Sequence, residues 1–372
     1  MRERATPWMA NIDWDNCENV SQMLTKEIHA YAQFISPTPE EHETRRLIVQ
    51  LIRNAITGDF PDAQLFTFGS FETRLYLPTG DIDLVVMSSI MEQYSSIKLL
   101  LSKLASSIRR ARISHDVEII AKAKVPIIKF VTSYGHISVD ISVNRPGGVA
   151  ASTMAKQFME EIPAIRPLVL VIKNFLKQRN MNEVFSGGLG SYGILCLVTS
   201  FLQLHPKIRR SKIDPMDNLG VLLIEFFETY GKHFNYTDIG ISLRNGGLYF
   251  RKRDRGWAAA DRKSIGSILC IEDPRDPLNN VTSGSFAFHR VKQTFAGAFE
   301  VLTAELCLRD TERESKANGT YYSLRAEGSG DVGRSLLSGV TGITQEVEPL
   351  LPPRAQSDNL FFADDGSKER NH

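Results

Sequence analysis

Two short runs limit what this chain can fold into: DIDLVVM at 81–87 and HISVDISV at 136–143. Both alternate as strands do, and both set aspartate among residues that otherwise belong in a core. Successive side chains of a strand point to opposite faces. Asp81 and Asp83 therefore share one face, and Ile82 and Leu84 the other. In the second run Ile137, Val139, Ile141 and Val143 line one face, while Ser138, Asp140 and Ser142 line the opposite one. If both strands lie in one sheet, three carboxylates converge on its open face. Their mutual repulsion raises at least one pKa unless a divalent cation sits among them.

The flanking sequence supplies such a sheet. QLFTFGS, VEIIAKA and VPIIKFV also read as strands, the last joined to HISVDISV by a short loop around Ser133, Tyr134 and Gly135. SIKLLLSKLASSIRR reads as a helix between them. Ahead of the sheet, Met23, Leu24, Ile28 and Tyr31 recur at helical spacing between Val20 and Phe34. Thr38, Pro39 and Glu41 then form a capping box with proline at the first helical position, which predicts a second helix to about Ile56. From Ala151 the period is helical again, in MAKQFMEEI, RPLVLVIKNFLKQRN, SYGILCLVTSFLQLH and LGVLLIEFFETYGKHF. A strand-like patch, ISLRNGGLYFRKR, a loop containing CIEDP and a helix near FAGAFEVLTAELCL follow. Beyond about Asp310 the composition turns to Gly, Ser, Glu, Asp and Pro, which predicts a disordered tail.

A chain of 372 residues has room for two domains, each with its own core. The formal charge of +1 excludes a strongly basic nucleic-acid coat. Cys17, Cys196, Cys270 and Cys307 are too scattered for a zinc site or a secreted disulfide framework, and they favour a reducing compartment. YGILCLVTSFL is too short to span a bilayer, and the N-terminus lacks the apolar stretch of a signal peptide. A soluble protein of the nucleus or cytosol, without membrane association, is expected.

One short loop ahead of Asp81 stands Gly69-Ser70, in GSFETRLYLPTGDID. Glycine lets the backbone approach a ligand, and the serine hydroxyl with adjacent amides suits phosphate oxygens. An Asp-x-Asp alone is commonly a polar turn. The Gly-Ser pair, the Asp-x-Asp and a third strand aspartate, in this order and spacing, resemble the signature of the polymerase-beta-type nucleotidyltransferases. Lys173 and Lys177 lie i and i+4 on one apolar helix, so both ammonium groups project from one face. They suit the β- and γ-phosphates of a nucleotide; the alternative is a solvated polar face. GGLGS feeds a helix beginning near Ser191, whose free amides and hydroxyl make a further phosphate site. Tyr192 at its mouth either stacks on a base or joins the core.

Together SPTPEE, FGSFETRLYLP, VPIIKF, HISVDIS, GGLGSYG and CIEDP, spread from about Val20 to Leu308, resemble the noncanonical poly(A) polymerases. The resemblance is to the nuclear branch that tails RNAs for exosome decay in the TRAMP assembly. It implies an α+β fold, with a polymerase-beta-like nucleotidyltransferase palm over residues 40–148. A mostly helical central domain covers 149–310, with a nucleotide-recognition loop at about 270–286. Residues 1–39 pack on the central domain, and 311–372 form the tail. By the same resemblance Asp81, Asp83 and Asp140 are catalytic and hold Mg2+, with Mn2+ as the alternative ion, for two-metal phosphoryl transfer. Gly69 and Ser70 touch the triphosphate; Lys173, Lys177 and Ser191 hold phosphates; Tyr192 stacks on the base.

Asn279 stands where uridylyl-transferring relatives commonly have histidine, which favours ATP, since a carboxamide offers a donor and an acceptor to adenine. Two positions depart from the pattern: Gly80, where many relatives have serine, and Asn280, often aspartate in the poly(A)-adding branch. The expected function is template-independent addition of AMP from ATP to RNA 3′ ends in RNA surveillance in the nucleus, the nucleolus included. A zinc-knuckle RNA-binding protein and an RNA helicase are the expected partners. The alternatives are a terminal uridylyltransferase and a catalytically weak scaffold of an RNA-decay complex. A small-molecule nucleotidyltransferase shares Gly-Ser and Asp-x-Asp but does not need the EDP loop.

Overall fold

A computed structural model describes residues 6–14, 16–257, 268–319 and 335–341. Helices α1 (Val20–Ile35) and α2 (Pro39–Asp59) come first. The predicted capping box starts α2: Thr38 Oγ1 accepts from the Glu41 amide at 3.1 Å, and Glu41 Oε2 from the Thr38 amide at 2.7 Å.

Five strands follow: β1 (Gln64–Phe68), β2 (Ile82–Met87), β3 (Val117–Ile120), β4 (Ile127–Val131) and β5 (Ser138–Val143). They form one sheet in the order β1-β2-β5-β4-β3. Only β2 and β5 pair in parallel, and their register sets Asp83 opposite Asp140. The alternation in the sequence fixes that register, because a slip by one residue would turn the buried Ile82, Leu84, Val139 and Ile141 out to solvent. Those residues share a core with Ile48, Ile52 and Ile56 of α2 and with Leu101, Leu104 and Ile108 of α3 (Ile97–Arg110).

Apart from short helical turns such as Gly69–Glu72, the remaining helices among the described residues are α4 (Gly147–Glu161), α5 (Ile165–Lys177), α6 (Ser191–Leu204), α7 (Leu219–Glu228) and α8 (Phe288–Ala317). They surround a second core that includes Phe175, Phe226, Phe227, Tyr230 and Phe295. Although α1 precedes the sheet in sequence, its Leu24, Ile28 and Tyr31 belong to this second core. So do Leu75 and Leu77, which means that the chain leading into β2 is gripped by both cores. A ribbon of β6 (Ile239–Ser242) and β7 (Leu248–Arg251) joins the CIEDP segment through a parallel bridge between Ile241 and Ile271.

The expectation of a disordered tail from Asp310 fails where the chain is described. Helix α8 continues to Ala317. Farther on, Ser335, Leu336, Leu337, Val340 and Thr341 are buried. Glu27 of α1, itself wholly buried, secures this segment. Its carboxylate accepts from Leu336 N at 2.7 Å, Leu337 N at 3.2 Å, the Ser335 hydroxyl, and Trp8 Nε1 at 3.0 Å. Composition hides such an anchor, since three apolar residues suffice once a carboxylate fixes the backbone. The rest of the predicted tail lies outside the described residues. No helix among the described residues is long and apolar enough to cross a membrane.

Candidate active site

The parallel pairing of β2 and β5 builds the acidic cluster. One carboxylate oxygen from each of Asp81, Asp83 and Asp140 lies within 4.8 Å of the other two. Such a set of hard oxygen donors suits a divalent cation. Burial first, and then the charges of Asp81 and Asp140, push the Asp83 carboxyl up to about 7. Burial also raises Asp140, while the Lys129 ammonium, 3.0 Å from its Oδ1, pulls it back down. Repulsion alone, the cause anticipated from sequence, is thus second to desolvation.

Gly69 is glycine for a steric reason. Its φ is +67°, and a Cβ there would collide with Asp83 Oδ2. The Gly69 amide donates to Ser152 Oγ at 2.7 Å, so it is engaged within the protein rather than left for a phosphate. Ser70, next to it, faces the cleft between the sheet and the helices, a cavity of about 750 Å³. Asp81, Asp83, Lys173 and Lys177 also line this cleft, and Ser191 and Tyr192 complete the wall on the α6 side.

The two lysines do not form a solvated face. Lys173 is 7% exposed and donates from Nζ to Leu75 O at 2.9 Å; Lys177 donates to Thr79 Oγ1. Burial lowers both, Lys173 to about 8. They therefore fasten the stretch leading to Asp81 while lining the cleft. Arg45 of α2 braces the same stretch. Its guanidinium donates to Gly80 O at 2.7 Å and Pro78 O at 3.1 Å, and lies 4.5 Å from the centre of the Tyr76 ring. The turn is closed by Gly80 N donating to Leu77 O at 2.6 Å. A Cβ at position 80 would stand 2.9 Å from Tyr76 Cβ, which explains glycine here in place of serine.

Arg45 and Lys129 escaped the sequence reading. Strand alternation could have found Lys129, because VPIIKFV sets it directly across from Asp140 in the β4–β5 pairing. No pattern marks Arg45, whose partners are backbone carbonyls far along the chain.

Ser191 opens α6 after Gly190 at the N-cap, so unpaired first-turn amides lie at the cleft wall. Tyr192 is half-buried, and burial holds its phenol well above the ordinary range. Asn279 does not line the cleft. Its exposed carboxamide donates to Asp273 Oδ2 at 3.1 Å. Asn280 instead staples the loop: its Oδ1 accepts from Ile271 N at 3.1 Å, Thr282 N at 3.1 Å and Thr282 Oγ1 at 3.0 Å. The buried Glu272 of CIEDP is paired with Arg255 at 2.7 Å.

Comparison with known proteins fits this geometry. The family model for the poly(A) RNA polymerase, mitochondrial-like, central palm domain matches residues 24–160, and that for the Cid1 family poly A polymerase matches 218–279. The inactive non-canonical poly(A) RNA polymerase protein Trf4-2 of Drosophila melanogaster is 33% identical over 80% of this chain and 73% of its own length. The chain belongs to the noncanonical poly(A) polymerase family. The poly(A) RNA polymerase CID14 of Cryptococcus neoformans is 46% identical over 93% of this chain and 45% of its own length. The chain thus spans about half the length of that curated relative. A solved structure described as the polymerase core of TRAMP, a RNA surveillance complex, is 42% identical, with a TM-score of 0.74 over 81% of this chain and 93% of that one. In this member of the family the three aspartates and Gly69-Ser70 fall within the palm match, and Glu272 and Asn279 within the second.

Proposed function

We propose that the chain is a template-independent RNA nucleotidyltransferase that adds AMP from ATP to RNA 3′ ends. The observation that carries this reading is the clustering of Asp81, Asp83 and Asp140 beside a cleft lined by Ser70, Lys173 and Lys177. Family membership alone does not make an enzyme, as the relative named inactive illustrates; three intact carboxylates in one cluster favour activity over scaffolding.

The donor set fits Mg2+, with Mn2+ as the alternative: three hard carboxylates converge where their charges cannot stand together unscreened. Asp81, Asp83 and Asp140 would hold such an ion, which would neutralise charge on the transferred phosphoryl group and the departing pyrophosphate. The chain's own residues do the rest. Lys173 and Lys177 hold the β- and γ-phosphates with ammonium groups already oriented by Leu75 and Thr79. The Ser70 hydroxyl and the first turn of α6 at Ser191 take further phosphate oxygens, and Tyr192 faces the base. The primer 3′ hydroxyl gives its proton to the Asp140 carboxylate as its oxygen bonds to the α-phosphorus, and the bond from the α-phosphorus to the α–β bridging oxygen breaks with its electron pair leaving on pyrophosphate.

Nucleotide choice goes with the loop that Glu272 and Asn280 anchor. Asn279→His is expected to raise use of UTP relative to ATP about tenfold, the worth of one hydrogen-bond change at a base edge. An unchanged ratio in a competition assay returns Asn279 to a loop residue bound to Asp273. Likeness to the TRAMP polymerase core supports a setting in nuclear RNA surveillance and exosome-linked decay, with a zinc-knuckle RNA-binding protein and an RNA helicase as partners. The decisive experiment is extension of a short RNA with each of the four nucleotides, with and without Mg2+. Extension by ATP supports the proposal, and preferred extension by UTP makes the protein a uridylyltransferase. No extension, together with no binding of a magnesium nucleotide, makes it a scaffold.

A further inference from the structure

Phe185 is 99% exposed in a loop that lines the cleft. Exposed apolar residues scattered singly over a surface need no explanation. The position of this one does. Among the exposed large apolar side chains of the described residues, only Val184 and Phe185 line the cleft. The loop that displays them is tied down. Leu189 N donates to Met181 O, Gly188 N to Glu183 O and Gly187 N to Val184 O, each at 2.9 Å. Ala287 N donates to Gly187 O at 2.9 Å and joins the loop to its neighbour. Val184 lies against Gly190 and Gly284, and the ring of Phe286, 62% exposed, lies against Gly187. A fixed turn thus holds one aromatic ring almost wholly in water, at the edge of a cavity that Asp81 and Asp83 also line.

We propose that Phe185 is a stacking platform for a base of the RNA strand near its 3′ end. The inference rests on the RNA nucleotidyltransferase reading above. Unpaired bases stack on exposed aromatic rings with little regard to sequence. With 44 Lys plus Arg offset by 43 Asp plus Glu, the chain has little net charge to attract phosphates, so a contact that needs no charge fits it. The incoming base already has half-buried Tyr192 at the mouth of α6. A base resting on Phe185 keeps its other face in water, as a strand entering the cleft does.

The test uses the full chain and a short RNA primer with 2-aminopurine as its penultimate nucleotide. Phe185→Ala is expected to raise the apparent KM for RNA about tenfold, equivalent to about 1.4 kcal/mol. The loss falls on KM for RNA rather than on kcat or KM for ATP. Phe185→Tyr restores the wild-type value and Phe185→Leu does not, because stacking needs a ring. The fluorescence change of 2-aminopurine on binding is present with the wild type and lost with Phe185→Ala. An unchanged KM for RNA, full rescue by leucine, or a loss confined to KM for ATP overturns the proposal. So does a fall in Tm shared by every variant, which would make Phe185 a structural residue. Wild-type protein that extends no primer with any nucleotide overturns the activity reading itself. Extension by wild type with Phe185→Ala unaffected overturns the platform alone.

Discussion

At the scale of single residues, the two lysines of the cleft serve the chain directly, Lys173 through Leu75 O and Lys177 through Thr79 Oγ1, at the same wall where phosphates are proposed to bind. Asp81, Asp83 and Asp140 converge on one point, and none has a substitute there among the described residues. Replacing any one by alanine is expected to lower nucleotide addition by at least about a thousandfold, the scale of losing a key electrostatic element. Circular dichroism should show the fold retained. A variant keeping a tenth of wild-type activity removes its residue from the assignment. Lys173 gives a pH signature. Burial holds its pKa at about 8 in the free protein, below its ordinary value, and a triphosphate bound as proposed would raise it. Below pH 8 the ammonium is charged before binding; above it, binding must take up a proton. Affinity for ATP therefore falls as pH rises from 8 toward 10, by up to about tenfold per unit. Titration of ATP binding across that range checks the slope, and Lys173→Met should flatten it.

At the scale of elements, what could be read from sequence was whatever repeats along the chain or lies within a few consecutive residues. The aspartates of β2 and β5 were legible because strand alternation commits each side chain to a face. The capping box of α2 was legible because it lies within four consecutive residues. The burial of Lys173 was not, since i, i+4 spacing says which face a lysine takes but not what covers that face. Arg45 was hidden for a related reason: backbone carbonyls accept its hydrogen bonds, and every residue has one. The anchor of residues 335–341 was invisible too, because it depends on Glu27, some three hundred residues away. Burial raises the pKa of Glu27 against four hydrogen bonds that lower it. Glu27→Ala strands the Trp8 indole and two backbone amides, each costing about 1–3 kcal/mol when left unpaired. We expect a lower unfolding midpoint and faster cleavage between 335 and 341 in limited proteolysis. Unchanged cleavage would mean that the apolar residues hold the segment unaided.

At the scale of the whole molecule, the charge balance bears on how firmly the proposed RNA substrate could be held. There are 44 Lys plus Arg against 43 Asp plus Glu, and several basic clusters are spent on structure. Arg109 donates to Val117 O, Arg110 pairs with Asp59, Lys252 donates to Tyr236 O and Ile268 O, and Arg255 pairs with Glu272. Few phosphates can be neutralised at once, so RNA should bind the isolated chain no more tightly than about micromolar at physiological salt. The proposed zinc-knuckle partner would lower the apparent KM for RNA far more than that for ATP. Nanomolar binding by the chain alone, in a filter assay at about 150 mM salt, would contradict this. The placement of α1 bears on how the molecule is made. Its partners α5 and α7 leave the ribosome more than a hundred residues later. At about 5–20 residues per second, that is a delay of roughly ten seconds. The sheet and its two helices, contiguous in the chain, can close within that interval. Until α5 and α7 follow, Leu24 and Ile28 of α1 lack most of their core, so for the short stretch of synthesis after β5 a closed palm shares the nascent chain with a helix still waiting for its partners.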